Sequence, residues 1–288
     1  MIAVYKRELR SFFASMTGYV FIAGVVAFIG FYFMDANMSQ GYPYFAFTLE
    51  NISAVFVFMV PILTMKSIAE EKKTKTDQML LTYPVSVTKV ILGKYLSMMT
   101  VFLIPLLISC LCPLIIAANG VSYLIGDYLA ILAVFFMGFL LVSIGMFISS
   151  LTENQLIAAV ISLVTFLIMF LWEGIIGYIP ETSTASLIGL FAIIVIVALV
   201  FFAVSHNHFI SIVIALAGCI AVTICYIANS RMFSGLINKI LGAFSCMGTL
   251  YNFTRYNTFD FGGVFLYLSL AALFVFLTIQ SVQKRRWS

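Results

Sequence analysis

Charged residues are scarce in this chain, because Asp, Glu, Lys and Arg make up only 9% of its 288 residues. Soluble globular proteins carry about 25% charged residues, so the composition excludes a soluble fold. Apolar residues account for 63% of the chain, and the mean hydropathy is +1.14. The apolar runs are continuous and lack the short alternating segments of an outer-membrane barrel. An all-α polytopic membrane protein is therefore predicted.

Motifs for catalysis and nucleotide binding are also missing. The sequence contains no GxxxxGK[ST] phosphate loop, no HExxH zinc motif and no GxSxG nucleophile elbow. Its five cysteines form no CxxC pair, which argues against a zinc site or a disulfide framework. We predict that the chain is not an enzyme, holds no metal or cofactor of its own and binds no nucleic acid.

Acidic residues inside the apolar runs are nearly absent, although a proton- or sodium-coupled carrier would need them. The nearest case is Glu173, beside Trp172 near the predicted outer end of a run. Its carboxylate either reaches the interface as a structural contact or lines a substrate path. A secondary carrier is accordingly the weaker alternative. Transport without such residues requires an outside source of energy.

Eight apolar runs predict about eight transmembrane helices, since a span needs about 20 residues. Pro105 and Pro113 fall inside the third run and predict a kink or an unwound turn. The runs are approximately 18–34, 52–65, 90–118, 128–150, 156–178, 187–204, 209–228 and 262–281.

The first 16 residues combine basic and apolar side chains at helical spacing. Lys6, Arg7 and Arg10 accompany Ile2, Tyr5 and Leu9, which share one helical face. This pattern predicts an amphipathic helix in the membrane interface, with its basic groups toward the lipid headgroups. A signal peptide is the rival interpretation. The following apolar run is longer than a signal core and ends without an A-x-A-like site.

Basic residues are distributed unevenly between the two sets of predicted loops. The N-terminal segment and the C-terminus each carry three Lys or Arg, and residues 66–94 carry six. The opposite loops carry three in total, which are Arg231, Lys239 and Arg255. Because Lys and Arg collect in cytoplasmic loops, both termini and residues 66–94 are predicted to be cytoplasmic.

Residues 66–94 form a charged hairpin between two apolar runs. An apolar group at Met79, Leu80, Leu81 and Val85 is flanked by Lys and Glu side chains. An exposed apolar patch with a charged rim is typical of a protein-binding surface. The alternative is a solvated loop whose leucines rest against the headgroups.

The segment AEEKKTKTDQMLLTYPVSVTKVILGKYL resembles the corresponding loop of type-2 ABC exporter permeases. The chain is similar to the bacterial gliding-motility and sodium-export types of these permeases. Supporting segments are YKRELRSFFASMTGYVF, FMVPILTMKSIAEE, FISSLTENQLIAAVIS and FLTIQSVQKRRW, in that order.

The resemblance implies a membrane subunit of an ATP-driven exporter in the bacterial cytoplasmic membrane. It would pair with a second permease copy, identical or different, and with separate ATP-binding cassette subunits that bind ATP and Mg²⁺. Residues 1–16 would be the elbow helix. Residues Lys66–Lys75 would be a rigid helical lever, with the charges Glu70, Glu71, Lys72, Lys73 and Lys75. The contact residues for the ATP-binding subunit would be Met79, Leu80, Leu81, Tyr83, Pro84, Val85, Ser86, Lys89, Glu153 and Asn154.

The chain departs from the six-span core of that family by an extra hairpin at 187–228, within a single permease domain of residues 1–288. Residues 229–261 would be extracytoplasmic, either as an interfacial packing helix or as the contact for an auxiliary protein. A scaffold or assembly subunit of an ABC-type machine that moves no substrate is the alternative function.

Overall fold

The computed structural model describes residues 1–76, 86–205, 208–255 and 258–287. Every regular element within these ranges is helical. The α-helices are α1 (Ile2–Ala14), α2 (Met16–Tyr32), α3 (Phe45–Thr64), α4 (Ala69–Lys73), α5 (Val87–Ser109), α6 (Leu111–Asn119), α7 (Leu124–Leu151), α8 (Gln155–Gly177), α9 (Ser183–Ser205), α10 (His208–Ala228), α11 (Leu236–Gly242), α12 (Cys246–Thr254) and α13 (Phe261–Trp287). A π-helix at Phe33–Ser39 extends α2, and a 3₁₀ turn spans Ser230–Phe233.

The predicted all-α polytopic membrane fold is confirmed. Six helical segments of the described chain are long and apolar enough to cross a membrane, which are Met16–Ser39, Phe45–Lys73, Val87–Asn119, Leu124–Leu151, Gln155–Gly177 and Phe261–Lys284. The predicted extra hairpin corresponds to α9 and α10. Their described parts carry shorter apolar stretches, Ser183–Ile196 and Ala215–Ile227. A total of eight spans stays a prediction.

The chain divides into two compact units. The first contains Met1–Phe170 and Cys246–Ser288, and the second contains Leu171–Ser245. Helix α7 is the centre of the first unit, where it packs against α3, α5, α12 and α13. Small residues on α7 permit this close packing. An added methyl group on Gly138 would collide with the Phe102 ring, and one on Gly145 would collide with Thr64.

Replacing Gly145 with Ala is expected to lower the free energy of unfolding by about 1–3 kcal/mol, because the new Cβ overpacks the α3–α7 contact. That Cβ would lie 2.8 Å from Thr64 Cβ and 2.9 Å from Thr64 Cγ2. Gly30→Ala is the matched control, since nothing lies within 4 Å of the added methyl group. The control should gain up to about 1 kcal/mol from helix propensity. Equal unfolding temperatures for the two purified variants would contradict this account.

The third predicted span is interrupted, as Pro105 and Pro113 suggested. Helix α5 ends at Ser109 and α6 begins at Leu111, with Cys110 between them. Pro113 lacks the backbone N–H that would donate to the Ser109 carbonyl, so the helix is weakened there. Pro105 lies inside α5 without ending it. The break therefore coincides with the second proline.

A single residue separates the N-terminal helix from the first span. Ser15 is extended, with φ −96° and ψ 156°, and α2 begins at the next residue. The turn is tight, since a Cβ on Gly18 would lie 2.6 Å from the Phe12 carbonyl oxygen. The predicted amphipathic helix is therefore present as α1, distinct from the span that follows.

The second unit is the α9–α10 pair with the segment that follows it. Helix α11 packs against α9, and the Ile237 amide lies 3.4 Å from the Ser186 hydroxyl. The Ser234 hydroxyl and the Gly235 amide donate to the Glu181 carbonyl at 3.1 and 3.0 Å. Within the 229–261 segment, for which a packing helix was one prediction, the short helix α11 is present. Ile237 is its buried residue.

Candidate functional site at the base of the charged hairpin

Lys94 is a buried cation at the base of the charged hairpin. Only 3% of the residue is exposed, although it lies in the second turn of α5, in an apolar stretch. Its ammonium lies 2.8 Å from a Glu71 carboxylate oxygen and 3.4 Å from one of Glu8. It also donates to the Ser67 carbonyl at 2.9 Å. A charge this deeply buried is stable only with such partners, and these partners come from α1, α4 and the turn before α4.

Ser149, near the end of α7, bridges the end of α3 and the start of α4. Its hydroxyl donates to the Met65 carbonyl at 3.1 Å. The same oxygen accepts the amides of Ile68 and Ala69 at 3.2 and 3.1 Å. Helix ends leave such backbone groups without partners inside the helix. One fully buried side chain therefore forms hydrogen bonds with backbone groups at two helix ends, the end of α3 and the start of α4.

Ser150 connects the hairpin to the turn between α7 and α8. The Lys72 ammonium donates to the Ser150 carbonyl. The Ser281 hydroxyl of α13 lies 3.5 Å from the same carbonyl. We name the set Glu8, Ser67, Glu71, Lys94, Ser149 and Ser150 the junction. It joins the first part of the hairpin to α1, α5 and α7.

The structure corrects the prediction that Lys66–Lys75 forms a rigid helical lever. Turns occupy Met65–Ile68, and helix resumes only at Ala69–Lys73. After α4, Lys75 adopts a positive φ of 57°, so α4 does not continue through this residue. The interruption is held by the Ser149 hydroxyl, so the lever is a short helix fixed by tertiary contacts.

The charges predicted for the lever have different environments. Glu71 and Lys72 are half-buried and bind within the junction, whereas Glu70, Lys73 and Lys75 are exposed. In α1, Lys6 and Arg10 are exposed, and Arg7 lies 2.6 Å from Glu8 and 3.5 Å from Glu71. The hydrogen bonds that Arg7 donates to Glu8, together with both carboxylate charges, raise the pKa of Arg7 above its usual value. Arg7 is therefore a second cation of the cluster.

The predicted contact residues for an ATP-binding subunit are only partly described. Six of them, Met79, Leu80, Leu81, Tyr83, Pro84 and Val85, lie outside the described residues. The other four, Ser86, Lys89, Glu153 and Asn154, are all exposed. Asn154 also accepts the Leu156 amide at 2.9 Å, which caps the start of α8. The structure leaves their predicted role untested.

The predicted substrate-path pair lies in the second unit. The Trp172 indole N–H donates to the Leu241 carbonyl at 3.1 Å, and Glu173 is half-buried beside it. This bond gives Trp172 a packing role against α11. A substrate contact at Glu173 stays a prediction.

The sequence predictions missed Glu8, Ser149 and Ser150 as functional candidates, and they counted Lys94 only as one of the loop charges. One signal was available for Lys94, because a lysine within the apolar run VILGKYLSMM demands a buried partner. No local pattern pairs it with Glu8, 86 positions earlier. Across the described residues, no group of three or more His, Cys, Asp or Glu is placed to hold a metal ion.

Comparison with known protein families gives a match over most of the chain. A family model described as an ABC-2 family transporter protein matches residues 3–186. This region contains all but the first residue of α1, the whole of α2 to α8 and every residue of the junction. A comparison with curated proteins found no match.

Proposed function

From the chain's membership of the ABC-2 transporter family, whose model covers most of its length, we propose that it is the permease of an ATP-driven exporter. As a member of that family it is a transmembrane subunit of an ABC transporter. The further proposal is that separate ATP-binding subunits dock on the hairpin 66–94 and that a substrate leaves the cytoplasm. The junction supports this proposal, because it links the hairpin to α1 and to the membrane helices α5 and α7.

The proposed mechanism is a transfer of movement through the junction. Closure of the ATP-binding subunits on ATP would displace the hairpin tip and with it α4. Glu71 would carry the displacement to Lys94 on α5, and Glu8 would carry it to α1. Ser149 would carry it to α7. Buried, well-bonded contacts transmit displacement because packed interiors deform little.

ATP hydrolysis would take place in the partner subunit. ATP and Mg²⁺ would bind in the separate subunit, and this chain would bind no cofactor. A second permease copy would complete the path between the two subunits. The exposed turn residues Glu153 and Asn154 would provide a second, smaller contact for the ATP-binding subunit.

Replacing Leu80 and Leu81 together with Asp is expected to reduce recovery of the ATP-binding subunit on purification by at least about tenfold, since charge in an apolar contact costs more than about 1.4 kcal/mol. The measurement is the ratio of ATP-binding subunit to permease after affinity capture of the permease. Lys73→Glu is the control, because it changes the net charge by the same amount at an exposed position. Unchanged recovery with Leu80→Asp/Leu81→Asp would refute docking at this loop.

The scaffold alternative is distinguished by a second measurement. In proteoliposomes, an exporter shows ATPase activity that rises when its substrate is added. A scaffold would bind the ATP-binding subunit equally well but would show no stimulation by any substrate class. Recovery of the ATP-binding subunit without any stimulation of its ATPase activity by substrate would thus support the scaffold function.

A further inference from the structure

An apolar groove lies between α1, α5 and α7, on the membrane side of the junction. Its volume is about 380 Å³, and its lining includes Ile2, Tyr5, Leu96, Leu103, Phe135 and Phe139. The Phe135 and Phe139 rings meet edge to face with centroids 4.9 Å apart. The wall is therefore mainly hydrocarbon and aromatic.

The polar atoms at the wall satisfy one another. Tyr5 Oη and Thr100 Oγ1 lie 3.0 Å apart, at hydrogen-bond distance. A polar ligand would have to compete with this bond, whereas a hydrocarbon chain would not. Burial of apolar groups is favourable and non-directional, so the groove suits a flexible alkyl chain.

A basic ridge begins at the groove and runs along α1. Ile2, Lys6 and Arg10 recur every four residues, so they lie one above the other on the helix surface. Lys6 and Arg10 are exposed, and neither has an ion pair with any residue that the structure describes. The nearby acid Glu8 is already bound to Lys94 and Arg7. Two uncompensated positive charges thus flank an apolar groove.

We propose that this groove and ridge form a binding site for an anionic phospholipid. One acyl chain occupies the groove, and the headgroup phosphate is held by Lys6 and Arg10. Charge complementarity selects the anionic headgroup, because a basic residue near the membrane surface attracts anionic lipid. A bound lipid would fix α1 against α5 and so stabilise the side of the junction that carries Glu8. The site is independent of the exporter proposal, since it requires no ATP-binding subunit.

The test uses a single tryptophan in the groove and lipids with brominated chains, which quench tryptophan fluorescence on contact. Trp172 and Trp287 are replaced with Phe, and Phe135 is replaced with Trp. Leu103→Trp is the second reporter, should the first fail to fold. The protein is reconstituted in vesicles of phosphatidylcholine and phosphatidylglycerol, with only one of the two lipids brominated.

Brominated phosphatidylglycerol is expected to quench the reporter with an apparent affinity about 25-fold above that of brominated phosphatidylcholine, since two basic residues each contribute about fivefold. Lys6→Gln/Arg10→Gln should abolish this preference while leaving the protein monodisperse. Ile168→Trp, an exposed position on α8, is the control and should show no headgroup preference.

Three results would overturn the proposal. Equal quenching by both lipids at Phe135→Trp would mean ordinary contact with the bilayer. A preference that survives Lys6→Gln/Arg10→Gln would place the headgroup elsewhere. Absence of quenching by either lipid would show that the groove holds another occupant, such as a transported molecule or a second protein.

Discussion

Replacing Lys94 with Met should lower the free energy of unfolding by about 3–5 kcal/mol, the usual cost of removing one partner from a buried ion pair. Met has nearly the length of Lys, so little packing is lost. The carboxylates of Glu8 and Glu71, which are 16% and 21% exposed, would then lose their buried cation and keep only Arg7, whose side chain is 55% exposed. The Ser67 carbonyl would lose its donor as well.

The measurement is thermal unfolding of the purified protein, with Lys89→Met as the matched control. Lys89 is an exposed lysine of the same helix, so its replacement should change stability by no more than about 0.5 kcal/mol. Adding Glu8→Gln and Glu71→Gln to Lys94→Met should restore part of the loss, because the two carboxylate charges that lost their buried cation are removed. Equal effects at Lys89 and Lys94, or no rescue, would refute the role of the buried cluster.

Replacing Ser149 with Ala is the second large expected effect, with a loss of about 2–3 kcal/mol for buried backbone groups left without partners. The Ile68 and Ala69 amides and the Met65 carbonyl would all lose the Ser149 hydroxyl. We expect the turn at Met65–Ile68 to loosen. Amide hydrogen exchange at Ile68 and Ala69 should therefore accelerate together with the loss of stability.

Ser143→Ala is the matched control for this change. Ser143 lies on the same helix, is also fully buried, and donates only to the Leu140 carbonyl of its own turn at 2.7 Å. Its loss should cost less than about 1 kcal/mol, because that carbonyl keeps its helical partner. A Ser149→Ala protein as stable as Ser143→Ala, with unchanged exchange at Ile68, would show that Ser149 does not hold the turn.

The helices of the fold were predictable from the sequence because a continuous apolar run can cross a bilayer only as a helix. Backbone groups there must bond within the segment, so long apolar runs become helices. The amphipathic α1 and the interruption near Pro113 follow from equally local patterns. The short Ser15 connection does not, since nothing in FFASMTGY marks the residue where the helix stops.

The junction was not predictable in the same way, because its contacts join distant positions. The sequence predicted an unbroken lever after Lys66, and no proline or glycine between residues 62 and 76 contradicts that prediction. The break arises from Ser149, about 80 residues away in sequence. Lys94 was likewise counted as one more loop charge, because its ion pairs with Glu8 and Glu71 form only in the folded structure.

The extended Ser15 has a mechanical consequence for the N-terminal helix. A one-residue connection leaves only two soft dihedral angles between α1 and α2, and the contact of Gly18 with Phe12 restricts both. The connection between the two helices is therefore rigid, and they move together. A rotation of α2 about its long axis would sweep α1 sideways, and a sideways load on α1 would apply torque to α2.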